Sequence, residues 1–104
     1  MIQTCPTDVV AAPPERVWDL VTYAEPLARW SGTRLLAGPR NRRLMPGDRL
    51  VLAAALGLKV VFDIRALEPP HSLTVDVQLP FGVMNHEIIR ITPAGDDRSR
   101  VSLG

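Results

Sequence analysis

Cysteine is almost missing from this chain: Cys5 stands alone, which excludes an intramolecular disulfide framework and makes a cytoplasmic setting the default expectation. Histidine is nearly as scarce. His71 and His86 stand apart, and no Cys/His group has the spacing of a metal site. There is no glycine-rich phosphate loop, no Ser/His/Asp or Cys/His arrangement for nucleophilic catalysis, and no internal repeat. Neither a metal nor a cofactor is expected. An excess of charge is missing too: 12 Lys and Arg against 11 Asp and Glu leave +1, so chain-wide charge recruits neither nucleic acid nor an anionic membrane. The longest apolar run, Leu50–Leu58, is about half a membrane span and is broken by Gly57, so no membrane insertion is expected. No basic stretch followed by a long apolar one opens the chain, and no signal peptide is expected.

What is present fits one domain over residues 1–104: the 104 residues are 46% hydrophobic and 22% charged, ordinary values for a chain that buries a core. Ile2–Ala12 reads as a strand. Pro6 lacks a ladder donor, so that strand belongs at a sheet edge or carries a bulge. Pro13-Pro14-Glu15 opens a helix, since proline suits the first turn and a carboxylate suits the positive end of the dipole. Val17, Leu20, Val21 and Ala24 recur at helical spacing, and Trp18 extends that face into the core. Glu25–Trp30 forms a second short helix restarted at Pro26, with Tyr23 as an exposed capping hydroxyl, and Ser31-Gly32 ends it.

From Thr33 onward the period changes from helical to two. Strands are expected over Thr33–Ala37, Arg49–Leu56, Lys59–Leu67, Ser72–Leu79, Val83–Thr92 and Arg98–Leu103, joined by turns at Pro46-Gly47, Gly57, Pro69-Pro70-His71, Pro80-Phe81-Gly82 and Pro93–Asp97. No helix-length segment separates them, so an antiparallel meander is expected and a parallel βαβ sheet is not. The fold class is α+β: a curved antiparallel sheet of six to seven strands with too little helix to cover its apolar face. Arg40, Arg42 and Arg43, with Arg34 nearby, lie in a solvated loop that doubles as a conceivable phosphate patch.

The segment Val10-Ala11-Ala12-Pro13-Pro14-Glu15-Arg16-Val17-Trp18-Asp19-Leu20 resembles the opening of the START-like superfamily, also called helix-grip or SRPBCC proteins, and is nearest its polyketide cyclase/dehydrase and lipid-transport group. The similarity continues through Trp30 at the end of the second helix, Pro46-Gly47-Asp48, Leu67-Glu68-Pro69-Pro70 and Thr92-Pro93-Ala94-Gly95-Asp96, in the family's order over nearly the whole chain. The resemblance implies a cavity between the curved sheet and a long C-terminal helix. Residues 1–104 are therefore expected to be a helix-grip domain that is C-terminally incomplete, reaching Ser102-Leu103-Gly104 of the last strand without that helix. Members include ligand carriers, cyclases, dehydration catalysts, stress sensors and chaperone-associated domains.

If the sheet curls around such a cavity, strand alternation sorts its lining. Val60, Phe62, Ile64 and Ala66 share one face of their strand, with Asp63 and Arg65 in charge pairs on the other. Leu73, Val75, Val77 and Leu79 oppose Thr74, Asp76 and Gln78. In Val83–Thr92 two registers are open. In one, Asn85, Glu87, Ile89 and Ile91 face inward; in the other, His86, Ile88 and Arg90 do. The first puts a carboxamide and a carboxylate at one end of an apolar face, which suits orienting a carbonyl- or hydroxyl-bearing ligand. A Glu87 withdrawn from water suits acid–base work; a solvated strand mouth would leave it in water. The expected ligand-binding residues are Trp30 (by the family's cavity mouth), Phe62, Ile64, Val75, Val77, Asn85, Glu87 and Ile89. Phe81 and Met84, beside the Pro80–Gly82 turn, are candidates for a gate or for packing. The expected function is binding of a hydrophobic small molecule, aromatic, polyketide-like or lipid-like. One alternative is a cyclase or dehydratase with Glu87 as its catalytic acid or base. Another is a truncated domain acting through oligomerisation, a homodimer covering the open sheet face.

Overall fold

In the computed structural model, which describes residues 7–104, the strands are β1 (Thr7–Val10), β2 (Arg34–Ala37), β3 (Arg49–Ala53), β4 (Lys59–Glu68), β5 (Ser72–Gln78), β6 (Met84–Pro93) and β7 (Ser99–Leu103). Helices α1 (Pro14–Val21) and α2 (Ala24–Trp30) fall between β1 and β2. The strands form one curved antiparallel sheet in the order β1-β7-β6-β5-β4-β3-β2. From β3 to β7 hairpin-length connections dictate that meander, because each strand turns back on its neighbour, while a longer loop brings β2 to β3 and β1 closes the other edge on β7. Of the expected first strand, Ile2 to Pro6, including Cys5 and the proline-linked bulge, lies outside the described residues. The described part is an edge strand held on β7, with Thr7 opposite Ser102 and Val10 opposite Ser99.

Proline chemistry sets the start of α1. Pro13 is extended at the cap, Pro14 takes the first helical position where no N–H partner is needed, and Glu15 sits in the first turn. Val17, Trp18 and Val21 are buried against the sheet. Leu20, expected on that face, is 48% exposed; in so short a helix the buried arc is centred on Trp18, and Leu20 falls outside it. Tyr23 precedes α2 but caps it with no side-chain hydrogen bond. Its ring instead lies under the Arg43 guanidinium, 5.1 Å from the centroid. Ala24, Leu27 and Ala28 turn inward.

The sheet's inner face supplies the rest of the core: Leu50 and Leu52 of β3, Val60, Phe62 and Ile64 of β4, Leu73, Val75 and Val77 of β5, Ile89 and Ile91 of β6 and Val101 of β7. The alternation expected for β5 is the one observed. Two deviations have local causes. The β4–β5 register shifts between Ile64 and Ala66, and this bulge sends Ala66 outward while Leu67 packs on the core. Strand β3 ends at Ala53, earlier than its apolar run, because Ala55–Gly57 forms a tight turn.

The long loop before β3 is tied down as well. Leu44 is 2% exposed, and its backbone N–H donates to the Thr22 carbonyl at 2.7 Å. The Thr22 hydroxyl donates to the Trp18 carbonyl at 2.6 Å and accepts from Arg43 at 2.6 Å. Arg42 makes two parallel bonds to Asp48, both 2.9 Å, Arg43 also reaches Asp19 at 2.8 Å, and Arg40 pairs with Glu25. In the loop read as solvated, with a phosphate patch only as the alternative, Arg40, Arg42 and Arg43 are thus each engaged by a carboxylate: Arg40 and Arg43 tie the loop to the helices, and Arg42 braces it internally through Asp48.

Candidate ligand-binding site

Cross-strand register decides which side chains meet on the concave face. Phe62 lies opposite Val77 and Ile64 opposite Val75; on the other side, Val77 lies opposite Asn85 and Val75 opposite Glu87. Residues directly opposite share a face, so Asn85 and Glu87 are on the concave side. Burial agrees, with Ile89 at 4% and Ile91 at 1% exposure. The register that would have turned His86 and Arg90 inward is not adopted.

Between α2 and this part of the sheet lies an open concavity of about 260 Å³, just below the range of about 300–1,000 Å³ usual for ligand sites. Its walls are Leu27 and Trp30 of α2, Val60 and Phe62 of β4, Val75, Val77 and Leu79 of β5 and its turn, Ile89 of β6 and Leu103 of β7. Its polar residues are Ser31, Thr33, Asn85 and Glu87. Of the residues singled out from the sequence, Trp30, Phe62, Val75, Val77, Asn85, Glu87 and Ile89 border this one space. Ile64 does not; it is 1% exposed, one strand position deeper beside the bulge, and belongs to the core. Trp30 is 37% exposed at the mouth, whereas Trp18 is 5% exposed in the core.

The sequence reading missed Ser31 and Thr33. Both follow α2 and bond its last carbonyls: Ser31 Oγ donates to the Leu27 carbonyl at 2.9 Å, and Thr33 Oγ1 donates to that of Ala28 at 3.1 Å. Each hydroxyl proton is thereby engaged, which leaves oxygen lone pairs as acceptors toward the concavity. The only signal was positional: hydroxyls flanking Gly32 at a helix end serve its orphan carbonyls. Asn85 is exposed and Glu87 half-buried, so the polar end of the site meets water. Glu87 is the one carboxylate among the lining residues.

The convex face has a different chemistry. Asp63 and Asp76 lie directly opposite each other on β4 and β5, an arrangement that repels unless each carboxylate is neutralised. Asp63 accepts from Arg49 at 2.8 Å and from Gln78 at 2.6 Å. Asp76 accepts from His86 Nδ1 at 2.5 Å and Arg65 Nε at 2.6 Å. These bonds, from His86 first and then Arg65 for Asp76, and from Arg49 for Asp63, hold both carboxyls below the usual aspartate range. His86 is thus engaged on the outside of the sheet, away from the concavity. Among the described residues no group of His, Cys, Asp and Glu could hold a metal ion, and no helix is long and apolar enough to cross a membrane.

A curved antiparallel sheet gripping short helices over an apolar concavity defines a helix-grip protein. The sequence matches the model of the "Polyketide cyclase / dehydrase and lipid transport" family over residues 3–103, and the chain belongs to that family. No curated protein matches the sequence. Among solved structures, CalU16 from Micromonospora echinospora is 24% identical with a TM-score of 0.68, over 93% of this chain and 55% of its own. PFC0360w, an HSP90 activator from Plasmodium falciparum, is 16% identical with a TM-score of 0.70, over 96% of this chain and 69% of its own. DynU16, from the dynemicin biosynthetic locus, is 19% identical with a TM-score of 0.71, over 95% of this chain and 35% of its own. The chain thus spans about half the length of CalU16 and a third of that of DynU16. At these identities the likeness establishes the fold.

Proposed function

We propose that this domain binds a hydrophobic small molecule, aromatic, polyketide-like or lipid-like, in the concavity between α2 and the sheet. The observation that carries the reading is the make-up of that space: a continuous apolar wall from Leu27 to Leu103 with its few polar groups gathered at the mouth. Such a division lets apolar contact supply affinity and a few polar groups fix orientation. Family membership supports the same reading. Asn85 both donates and accepts, while Ser31, Thr33 and Glu87 offer acceptors, so a ligand bearing a hydroxyl at one end suits the site. Titration with flavonoid, polyketide and fatty-acid probes tests it. Because Trp30 is at the mouth and Trp18 is buried elsewhere, binding is expected to quench the Trp30 share of the fluorescence, and Trp30→Phe to remove that signal. Absence of binding by every probe at high micromolar concentration refutes the proposal.

A second reading, a cyclase or dehydratase, is favoured by one observation: the only lining carboxylate, Glu87, has Asn85 two residues away on the same face. A general acid or base contributes about 10²–10⁴-fold, so Glu87→Gln should lower any turnover by that order. An unchanged rate sinks this assignment.

A further inference from the structure

Two hairpin turns break the rules of their own geometry in the same way. In the turn joining β3 to β4, Leu56 has φ +63° and is followed by Gly57 at +73°. In the turn joining β5 to β6, Phe81 has φ +68° and is followed by Gly82 at +78°. Two consecutive left-handed residues in a tight hairpin favour Asn-Gly or Asp-Gly, since asparagine and aspartate tolerate positive φ and are at home in water. Here the first position holds a large apolar residue, against both backbone preference and solubility. Leu56 is 98% and Phe81 96% exposed. Among the described residues almost nothing touches either side chain, so packing within them explains neither, and Phe81 does not border the concavity.

The two turns are neighbours. Antiparallel β4 and β5 are adjacent, with Val61 opposite Gln78, so both turns project from the same end of the sheet. The mouth of the concavity is at that end, because Leu79 and Asn85 flank the second turn and line the site. Leu58, Val83 and Met84 beside the tips are 45–57% exposed. Neither residues 54–59 nor residues 79–86 include an aspartate or glutamate. Lys59 follows the first tip, and Arg34 lies opposite Ala53 just before it.

We propose that these two tips insert into a lipid surface bearing anionic headgroups, which places the mouth of the concavity against the membrane. Loading of the site from that surface rests on the binding proposed above; the docking itself rests on the tips alone. Two protruding, fully wetted side chains fit the fluid interface of a bilayer better than a protein partner, which needs a contiguous patch. The flanking cations complement anionic headgroups. Chain-wide charge and hydropathy, from which no membrane insertion is expected, do not register two tips separated in sequence.

The decisive comparison is between the wild type and a Leu56→Asn, Phe81→Asn double variant. Asparagine suits the left-handed positions, so the variant should melt at or above the wild-type temperature. Wild type should co-sediment with vesicles of 70% phosphatidylcholine and 30% phosphatidylserine, less with phosphatidylcholine alone. The variant should bind the mixed vesicles at least about tenfold more weakly, as expected for withdrawing two apolar side chains from burial. Its affinity for a soluble probe of the concavity should be unchanged. If no probe binds either form while vesicle binding still depends on the tips, the ligand reading fails and the docking stands. The docking is overturned if wild type ignores the mixed vesicles, or if the variant binds them as well as wild type. It is equally overturned if the variant melts more than about 5 °C lower, or if the substitutions only convert a dimer to a monomer.

Discussion

Leu27→Ala measures how firmly α2 is fixed over the sheet, and with it the wall of the proposed site. Leu27 has no exposed surface, projects from the middle of α2 and borders the concavity. Replacing a buried leucine by alanine costs about 2–5 kcal/mol, the upper part of that range coming from sealed cavities. Here the vacated volume would merge with an open space of about 260 Å³, so the lost transfer energy should dominate. The expected cost is the lower half of the range, about 2–3 kcal/mol. For a domain of this size that corresponds to a fall of roughly 10–20 °C in melting temperature. Circular dichroism during heating, at fixed protein concentration, reads it directly. Leu20→Ala is the control: that side chain is 48% exposed and should change stability by less than about 0.5 kcal/mol. The variant lacking Leu27 should also accept bulkier probes than wild type. A loss below about 1 kcal/mol for Leu27→Ala, or an equal loss for Leu20→Ala, would refute the packing argument.

Acid should weaken the fold through the convex face and the loop before β3. Asp48, Asp63 and Asp76 are held below the usual range by Arg42, by Arg49, and by His86 with Arg65 respectively. A lowered folded-state value stabilises above the unfolded value of about 3.9 and is lost as pH falls through the folded one. Stability from these groups should therefore hold down to about pH 4 and decline below it, with a shallower decline in Asp76→Asn; an equally steep decline in the variant contradicts the assignment. Gly38→Ala should destabilise by about 1–3 kcal/mol in denaturant titration, because Gly38 has φ +148° and an added Cβ would sit 2.6 Å from Leu50 Cδ2. Arg43→Ala, despite its bonds to Thr22 and Asp19, should cost less than about 1 kcal/mol by the same titration, since its side chain is 40% exposed.

What the sequence made legible was periodic. The β5 alternation and the proline-led start of α1 follow from the residue pattern alone; in β6 the pattern left two registers open, and pairing with β5 selects the one that puts Asn85, Glu87 and Ile89 around the concavity. What escaped was local geometry that spacing does not encode. A bulge near Arg65 reverses Ala66 without any glycine or proline to announce it. Leu44, in a polar loop, is buried because Thr22 anchors its backbone. Ile64 continues the correct strand face but lies beyond the end of the space. The arginines of that loop read as free charge, and only the fold brings Glu25, Asp19 and Asp48 to them. Ser31 and Thr33 border the site because α2 ends there, a fact about chain path.

The measurement that tests the central claim most directly is a heteronuclear NMR titration with the strongest binder among the flavonoid, polyketide and fatty-acid probes. The largest shifts should fall on the Trp30 indole N–H and on the methyl groups of Val60, Val75, Val77, Leu79 and Ile89, which border the concavity. Methyl groups of Leu50, Ile91 and Val101, buried but away from it, should move little. Shifts concentrated on the convex face, or spread evenly over the core, would contradict a ligand held between α2 and the sheet.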